Sequence, residues 1–166
     1  MSRRPALLLM LAMALAGGGG TYRPAAAADA PRAPSSTATD DDHAAEIAAA
    51  SDACDRWLDL LARGKFAESW LSAAPVLQDA ATQLGWVDEL TKRDLKFGRL
   101  ITRERKAAQF STTMRGAPTG EYVVVTYLSK FERTPVVVET LALARNSTGH
   151  WQVAGYDIAI APAGSK

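Results

Sequence analysis

Over residues 44–63 the apolar side chains fall at Ile47, Ala50, Cys54, Trp57, Leu58 and Leu61, three or four positions apart. Glu46, Asp52, Asp55, Asp59 and Arg63 lie largely between them. That period puts one apolar stripe on an α-helix. Gly64 stands where such a helix ends, and Asp40, Asp41 and Asp42 stand where its positive dipole end favours anions. Residues 65–72 predict a second, short helix presenting Phe66 and Trp70. Pro75 suits the first turn of a third, continued by Leu77, Ala81, Leu84, Val87 and Leu90 as one stripe. Beyond Gly98 the period becomes two, predicting strands over 99–110, 121–131, 136–145 and 150–160. The links ERTP and NSTG are short enough to allow only antiparallel neighbours. Helices followed by a four-strand meander predict an α+β fold, with the helices packed on one face of a curved antiparallel sheet. By analogy with cystatin-like and nuclear-transport-factor-2-like folds, such a sheet encloses a cone-shaped pocket.

The segment ahead of this pattern changes where the protein is expected to work. MSRRPALLLMLAMALAGGGG carries Arg3 and Arg4 before an apolar run from Ala6 to Ala16. The run is shorter than the roughly 20 residues of a membrane span and fits the core of a secretory signal peptide. Residues 1–28 are therefore expected to be a cleavable signal, cut after Ala28, with an uncleaved N-terminal anchor as the alternative. No cysteine follows the cleavage position, since Cys54 is the sole cysteine, so a lipoprotein is not expected. Residues 29–43 are expected to be a disordered linker, because residues 24–42 hold no large apolar side chain to offset the entropy of ordering. Residues 44–162 then form one domain, of ordinary size for a single core. Export removes three of the 19 basic residues and no acid, leaving 16 against 18 and a formal charge of −2 in place of +1. Such a balance gives no drive toward nucleic acid or anionic membrane. The expected location is periplasmic or secreted, with no membrane span in the mature chain and no internal disulfide.

Candidate chemistry is sparse. In RGAPTGEYVVVTYLSKF the glycines lead into a strand rather than a helix N-terminus, so a phosphate cradle is not expected. Ala117-Pro118-Thr119-Gly120 instead predicts a type I turn. Glu139 shares strand parity with Val137, Leu141 and Leu143, which places a carboxylate on an apolar face. Either Glu139 lies on the solvated face, or Arg103, of the same parity as Ile101, partners it as scaffold or as an anion clamp. Tyr127 and Tyr156 offer an apolar body with a hydrogen-bonding tip and are the aromatic candidates for a pocket wall. Arg103, Tyr127, Glu139 and Tyr156 are thus the candidate ligand-binding residues; no catalytic or metal-ligating residue and no cofactor is assigned. His43 beside DDD reads as helix-entry chemistry, His150 as a solvent-facing turn residue, and Cys54 as packing, so no histidine-based nucleophilic set assembles. The basic stretch KRDLKFGRLITRERK holds a single aromatic, Phe97, and reads as a solvated helix end and strand edge. Asn146-Ser147-Thr148 is read as a polar turn.

The blocks DRWLDLLARGKFAESW, GWVDEL, GAP-x-GEY, SKF, VVVET and HWQVAGY, in this order over residues 47–158, resemble the small exported bacterial domain-of-unknown-function family 4019. The chain departs from that pattern with Arg115 where proline is expected and with a charged Asp157 after Tyr156. The resemblance implies an envelope location and one compact domain, and it transfers no reaction. The expected function is a non-enzymatic exported domain binding a small molecule or an envelope partner through a helix/sheet pocket, and an exposed edge strand would allow a homodimer. One alternative is a cone-fold enzyme with Glu139 or Asp157 as general base and Tyr156 or Tyr127 donating to an oxyanion. The other is a purely structural envelope module.

Overall fold

The computed structural model describes residues 40–114 and 116–161. The signal-peptide expectation for residues 1–28 and most of the linker lie outside the described residues. At the linker's end, Asp40–His43 forms a 3₁₀ turn, and the His43 ring stacks on Phe110 at 3.8 Å. Four helices follow, α1 (Ala44–Ala62), α2 (Phe66–Leu71), α3 (Pro75–Ala80) and α4 (Gln83–Phe97), and then β1 (Leu100–Ser111), β2 (Tyr122–Phe131), β3 (Thr134–Arg145) and β4 (Trp151–Ile160). The strands form one antiparallel sheet in the order β1-β2-β3-β4. The chain is α+β, with helices preceding a four-strand meander.

The predicted stripe of α1 is its buried face: Ala50, Cys54, Trp57, Leu58 and Leu61 are all buried, and Ser51 joins them. They pack on the inner sheet residues Val123, Val125, Leu141, Leu143 and Val153 to form the main core. A smaller cluster of Phe97, Phe131 and Val137 closes the end of the sheet near the β2–β3 hairpin. Two residues, Glu132 and Arg133, make that hairpin, and their amides donate to the carbonyls of Arg99 and Phe97.

The single third helix expected from the apolar stripe is two helices. Ala81 is extended, with φ −145° and ψ 135°, and Thr82 restarts the chain as an N-cap, its hydroxyl accepting from the Gly85 amide at 3.2 Å. The Trp70 indole donates to the Ala81 carbonyl at 2.8 Å and holds the break in place. The break rotates Leu84 out of the stripe, leaving it 81% exposed. The sequence signal was Thr82 itself, a capping residue between two apolar runs.

Gly98 ends α4 with φ 77°, and a Cβ there would lie 2.9 Å from the Glu132 Cβ, so both conformation and space require glycine. The β1–β2 connection also differs from expectation. Its hydrogen-bonded turn closes from the Ala117 amide to the Met114 carbonyl, with Gly116 at φ 78°, rather than across residues 117–120. Positive φ at the third position is what a type II turn needs, and glycine supplies it there. Pro118 serves instead as an acceptor, its carbonyl receiving the Tyr122 hydroxyl at 2.7 Å.

Candidate functional site

The register of the sheet brings the four candidate residues into one neighbourhood. Arg103 lies opposite Ser129, while Tyr127 lies between Arg105 on β1 and Glu139 on β3. Tyr156 is opposite Leu141, one inward position from Glu139. All four therefore share the helix-covered face. Arg103 binds Glu139 bidentately, Nε to Oε1 at 2.8 Å and Nη2 to Oε2 at 3.0 Å. The Ser129 hydroxyl donates to Oε1 at 2.5 Å, and the Tyr156 hydroxyl donates to Oε2 at 2.7 Å. Glu139 is 0% exposed, so four donors meet one carboxylate cut off from water. Burial alone would push its pKa up; the bonds and charge of Arg103, aided by Ser129 and Tyr156, more than offset this and hold the carboxyl below its ordinary value.

The network continues into the helices. Tyr156 accepts from Arg93 Nη1 at 3.2 Å, and Arg93 binds Asp94 Oδ1 through Nε at 2.9 Å and Nη2 at 2.6 Å. Burial, followed by the neighbouring Glu139 charge, raises the Tyr156 phenol well above its usual range, so it stays a donor. Arg93 belongs to the stretch expected to be solvated, yet it is buried, its guanidinium over the Phe66 ring at 5.7 Å. Its position is readable after the fact: three residues past Leu90 and four before Phe97, it shares their helical face.

Tyr127 separates from the other three at its tip. Its hydroxyl donates to Asp55 Oδ1 on α1 at 2.6 Å, and burial together with that bond raises its pKa well above the ordinary phenol range. Ser69 was not singled out from sequence and is a second node. Its carbonyl accepts the Trp57 indole at 2.8 Å, and its hydroxyl accepts the Trp86 indole at 3.0 Å while donating to the Phe66 carbonyl at 2.7 Å. Trp57, Trp86 and Tyr156 pack as a trio with centroids 5.5–6.4 Å apart. Burial pushes the Cys54 thiol up to about 12, so it stays protonated and unreactive near neutrality. Asp157 pairs with Thr140 on the opposite sheet face from Tyr156, so those two groups do not converge.

Two open grooves lie at the seams between α1 and the sheet edges. One, about 510 Å³, is lined by Ala44, Ile47, Ala48 and Ser51 of α1 and residues 105–108 of β1. The other, about 290 Å³, is lined by Arg56 and Trp57 of α1, Ser72, and Trp151, Gln152 and Val153 of β4, among others. Neither includes Arg103, Tyr127, Glu139 or Tyr156, and neither opens over the middle of the inner face, where a cone would hold its pocket. Among the described residues no cluster of His, Cys, Asp or Glu has the placement to hold a metal ion, and no helix is long and apolar enough to cross a membrane.

An α+β domain with a mutually satisfied ionic cluster under its helices and open seams at its edges defines a class of architecture, not a reaction. The chain belongs to the family described as protein of unknown function (DUF4019), which matches residues 53–156. No curated protein and no solved structure matches it.

Proposed function

We propose that the mature chain is an exported, periplasmic domain that binds a small molecule or an envelope partner at a helix/sheet seam and performs no chemistry of its own. The supporting observation is the contrast between the polar cluster and the seams. Glu139 and Tyr156 direct their polar atoms at Arg103, Ser129, Arg93 and one another. An arrangement that consumes its own donors and acceptors is a frame. The open volume lies along α1 instead. In this reading Arg103, Glu139 and Tyr156 fix the sheet under the helices, and Tyr127 ties α1 to the sheet through Asp55, so that the seam walls keep their spacing. The apolar run at residues 6–16 supports export.

Thermal-shift screening with periplasmic metabolites and lipids, paired with pull-down from envelope extract, tests the binding reading. A ligand that raises the melting temperature in a saturable way is the expected result, and silence in both assays would end the proposal. N-terminal sequencing of the exported protein is expected to begin at Asp29; a chain that keeps residues 1–28 in the cytoplasm would refute the location.

A further inference from the structure

The groove between α1 and β1 holds two polar side chains that make no hydrogen bond to a described residue, one of them, Arg105, in a loose ion pair. Ser51 is 2% exposed, and its hydroxyl makes no hydrogen bond to any described residue. Among the described residues no fully enclosed side-chain nitrogen or oxygen lacks a partner, so the little exposure Ser51 retains includes its hydroxyl. Ser51 lines this groove on the same helical stripe as Ala44, Ile47 and Ala48. A nearly enclosed hydroxyl with no protein partner keeps its hydrogen-bonding capacity for whatever reaches it.

The second group is Arg105. Its guanidinium lies 3.9 Å from Asp55 Oδ2, an ion pair beyond hydrogen-bond range, and makes no hydrogen bond to any described residue. Asp55 is held back because its other oxygen receives Tyr127. A register shift in β1 between Arg105 and Ala107 inserts Lys106 as an extra residue at this point. Lys106 carries its own counter-ion, Glu104, at 2.6 Å. With Lys106 closely met by Glu104 and Arg105 only loosely met by Asp55, the groove offers little more than one positive charge, which suits a singly charged ligand better than a phosphate dianion. The remaining lining, Ala44, Ile47, Ala48, Ala107 and Ala108, is small and aliphatic, with no aromatic wall.

We infer that this groove binds a small aliphatic monocarboxylate, its head taking hydrogen bonds from the Arg105 guanidinium and the Ser51 hydroxyl and its chain lying on the alanine and isoleucine surface. The inference rests on the binding reading proposed above and narrows it to one seam and one ligand class. The test is amide NMR of the isotopically labelled protein titrated with hexanoate, and with hexylammonium and inorganic phosphate at matched ionic strength. The expected result is saturable shifts at Ser51 and residues 105–108 with hexanoate alone. Arg105→Ala is expected to weaken binding about tenfold or more, Arg105→Lys less, and Ser51→Ala severalfold, with melting temperatures near wild type. Equal responses to hexanoate and hexylammonium, or shifts that never saturate, would overturn it. Shifts confined to Trp151 and Gln152 would also overturn it, as would an acidic extended peptide binding along β1 where hexanoate does not. These last two outcomes leave the broader binding reading standing. Silence toward every carboxylate together with a silent metabolite screen would remove both.

Discussion

Arg103 and Arg105 lie two residues apart on β1, face the same side of the sheet, and meet different surroundings. Arg103 is 14% exposed and grips a fully buried carboxylate with two bonds; Arg105 is 42% exposed and has a carboxylate oxygen only at 3.9 Å. The difference is set by register. Opposite Arg103 stands Ser129, small enough for the guanidinium to reach past it to Glu139. Opposite Arg105 stands Tyr127, whose ring fills that path and whose hydroxyl claims Asp55. One residue type on one strand thus becomes an enclosed strut or an available cation, according to the volume of its cross-strand neighbour.

If the strut reading is right, removing its anion has the largest effect in the molecule. Glu139→Ala leaves Arg103 enclosed without a counter-charge and is expected to destabilise the fold by about 3–5 kcal/mol. Urea titration checks this, with alkylation of Cys54 as a second readout, since that thiol becomes accessible only on unfolding. The double variant Arg103→Met/Glu139→Leu is expected to recover most of the loss, because an apolar pair of similar volume removes both buried charges. Failure of the double variant to recover would mean that the ions make a contact that the apolar pair cannot replace.

The same cluster fixes a pH dependence. The carboxyl of Glu139 is held below its ordinary value of 4.5 in the folded state. Its contribution is therefore fully present above about 4.5 and is lost as pH falls from there through the folded value. Glu132, exposed and bonded to Arg99, adds a dependence of the same sign. Stability of the wild type is expected to decline below pH 4.5 more steeply than that of Glu139→Gln, measured by denaturation midpoints across pH 3–7. Parallel curves would show that Glu139 is not the group responsible.

Tyr156→Phe is a smaller perturbation of the same frame. It removes the donor to Glu139 Oε2 and the acceptor for Arg93 while keeping the ring against Trp57 and Trp86. Hydrogen bonds to charged groups are worth about 1.5–3 kcal/mol, and a loss in that range is expected in thermal or urea melts. A loss as large as that of Glu139→Ala would move the centre of the network from the Arg103 pair to the tyrosine.

Much of this frame was legible in the sequence because alternation carries it. Glu139 shares parity with Val137, Leu141 and Leu143, and a carboxylate on such a face calls for a cation; Arg103 was the available one. The helical stripe of α1 likewise gave the core directly. What alternation does not carry is the position of bulges and breaks. The extra residue at Lys106 changes which side chains of β1 share a face, and the Thr82 restart divides one apolar stripe between two helices. Ser51, Ser69 and Ser129 were passed over because a small hydroxyl fits either a surface or a core pattern, and only tertiary neighbours decide which. Arg93 was hidden by composition, since a stretch of many charges reads as solvated until one of them falls on the buried side.

The smallest expected effect separates the two arginines most cleanly. Arg105→Ala removes a half-exposed side chain with no hydrogen bond to a described residue and one distant ion contact, and such contacts contribute between nothing and about 1 kcal/mol. A change below about 0.5 kcal/mol is expected. Because Arg103 and Arg105 share strand, face and residue type, Arg103→Ala is the matched control: it strands the Glu139 carboxylate and is expected to cost several-fold more. Should the two alanine variants melt together, the 3.9 Å separation from Asp55 would have to close in solution. Arg105 would then be a second strut rather than an available cation, and the α1–β1 groove would lose the group that sets its charge preference.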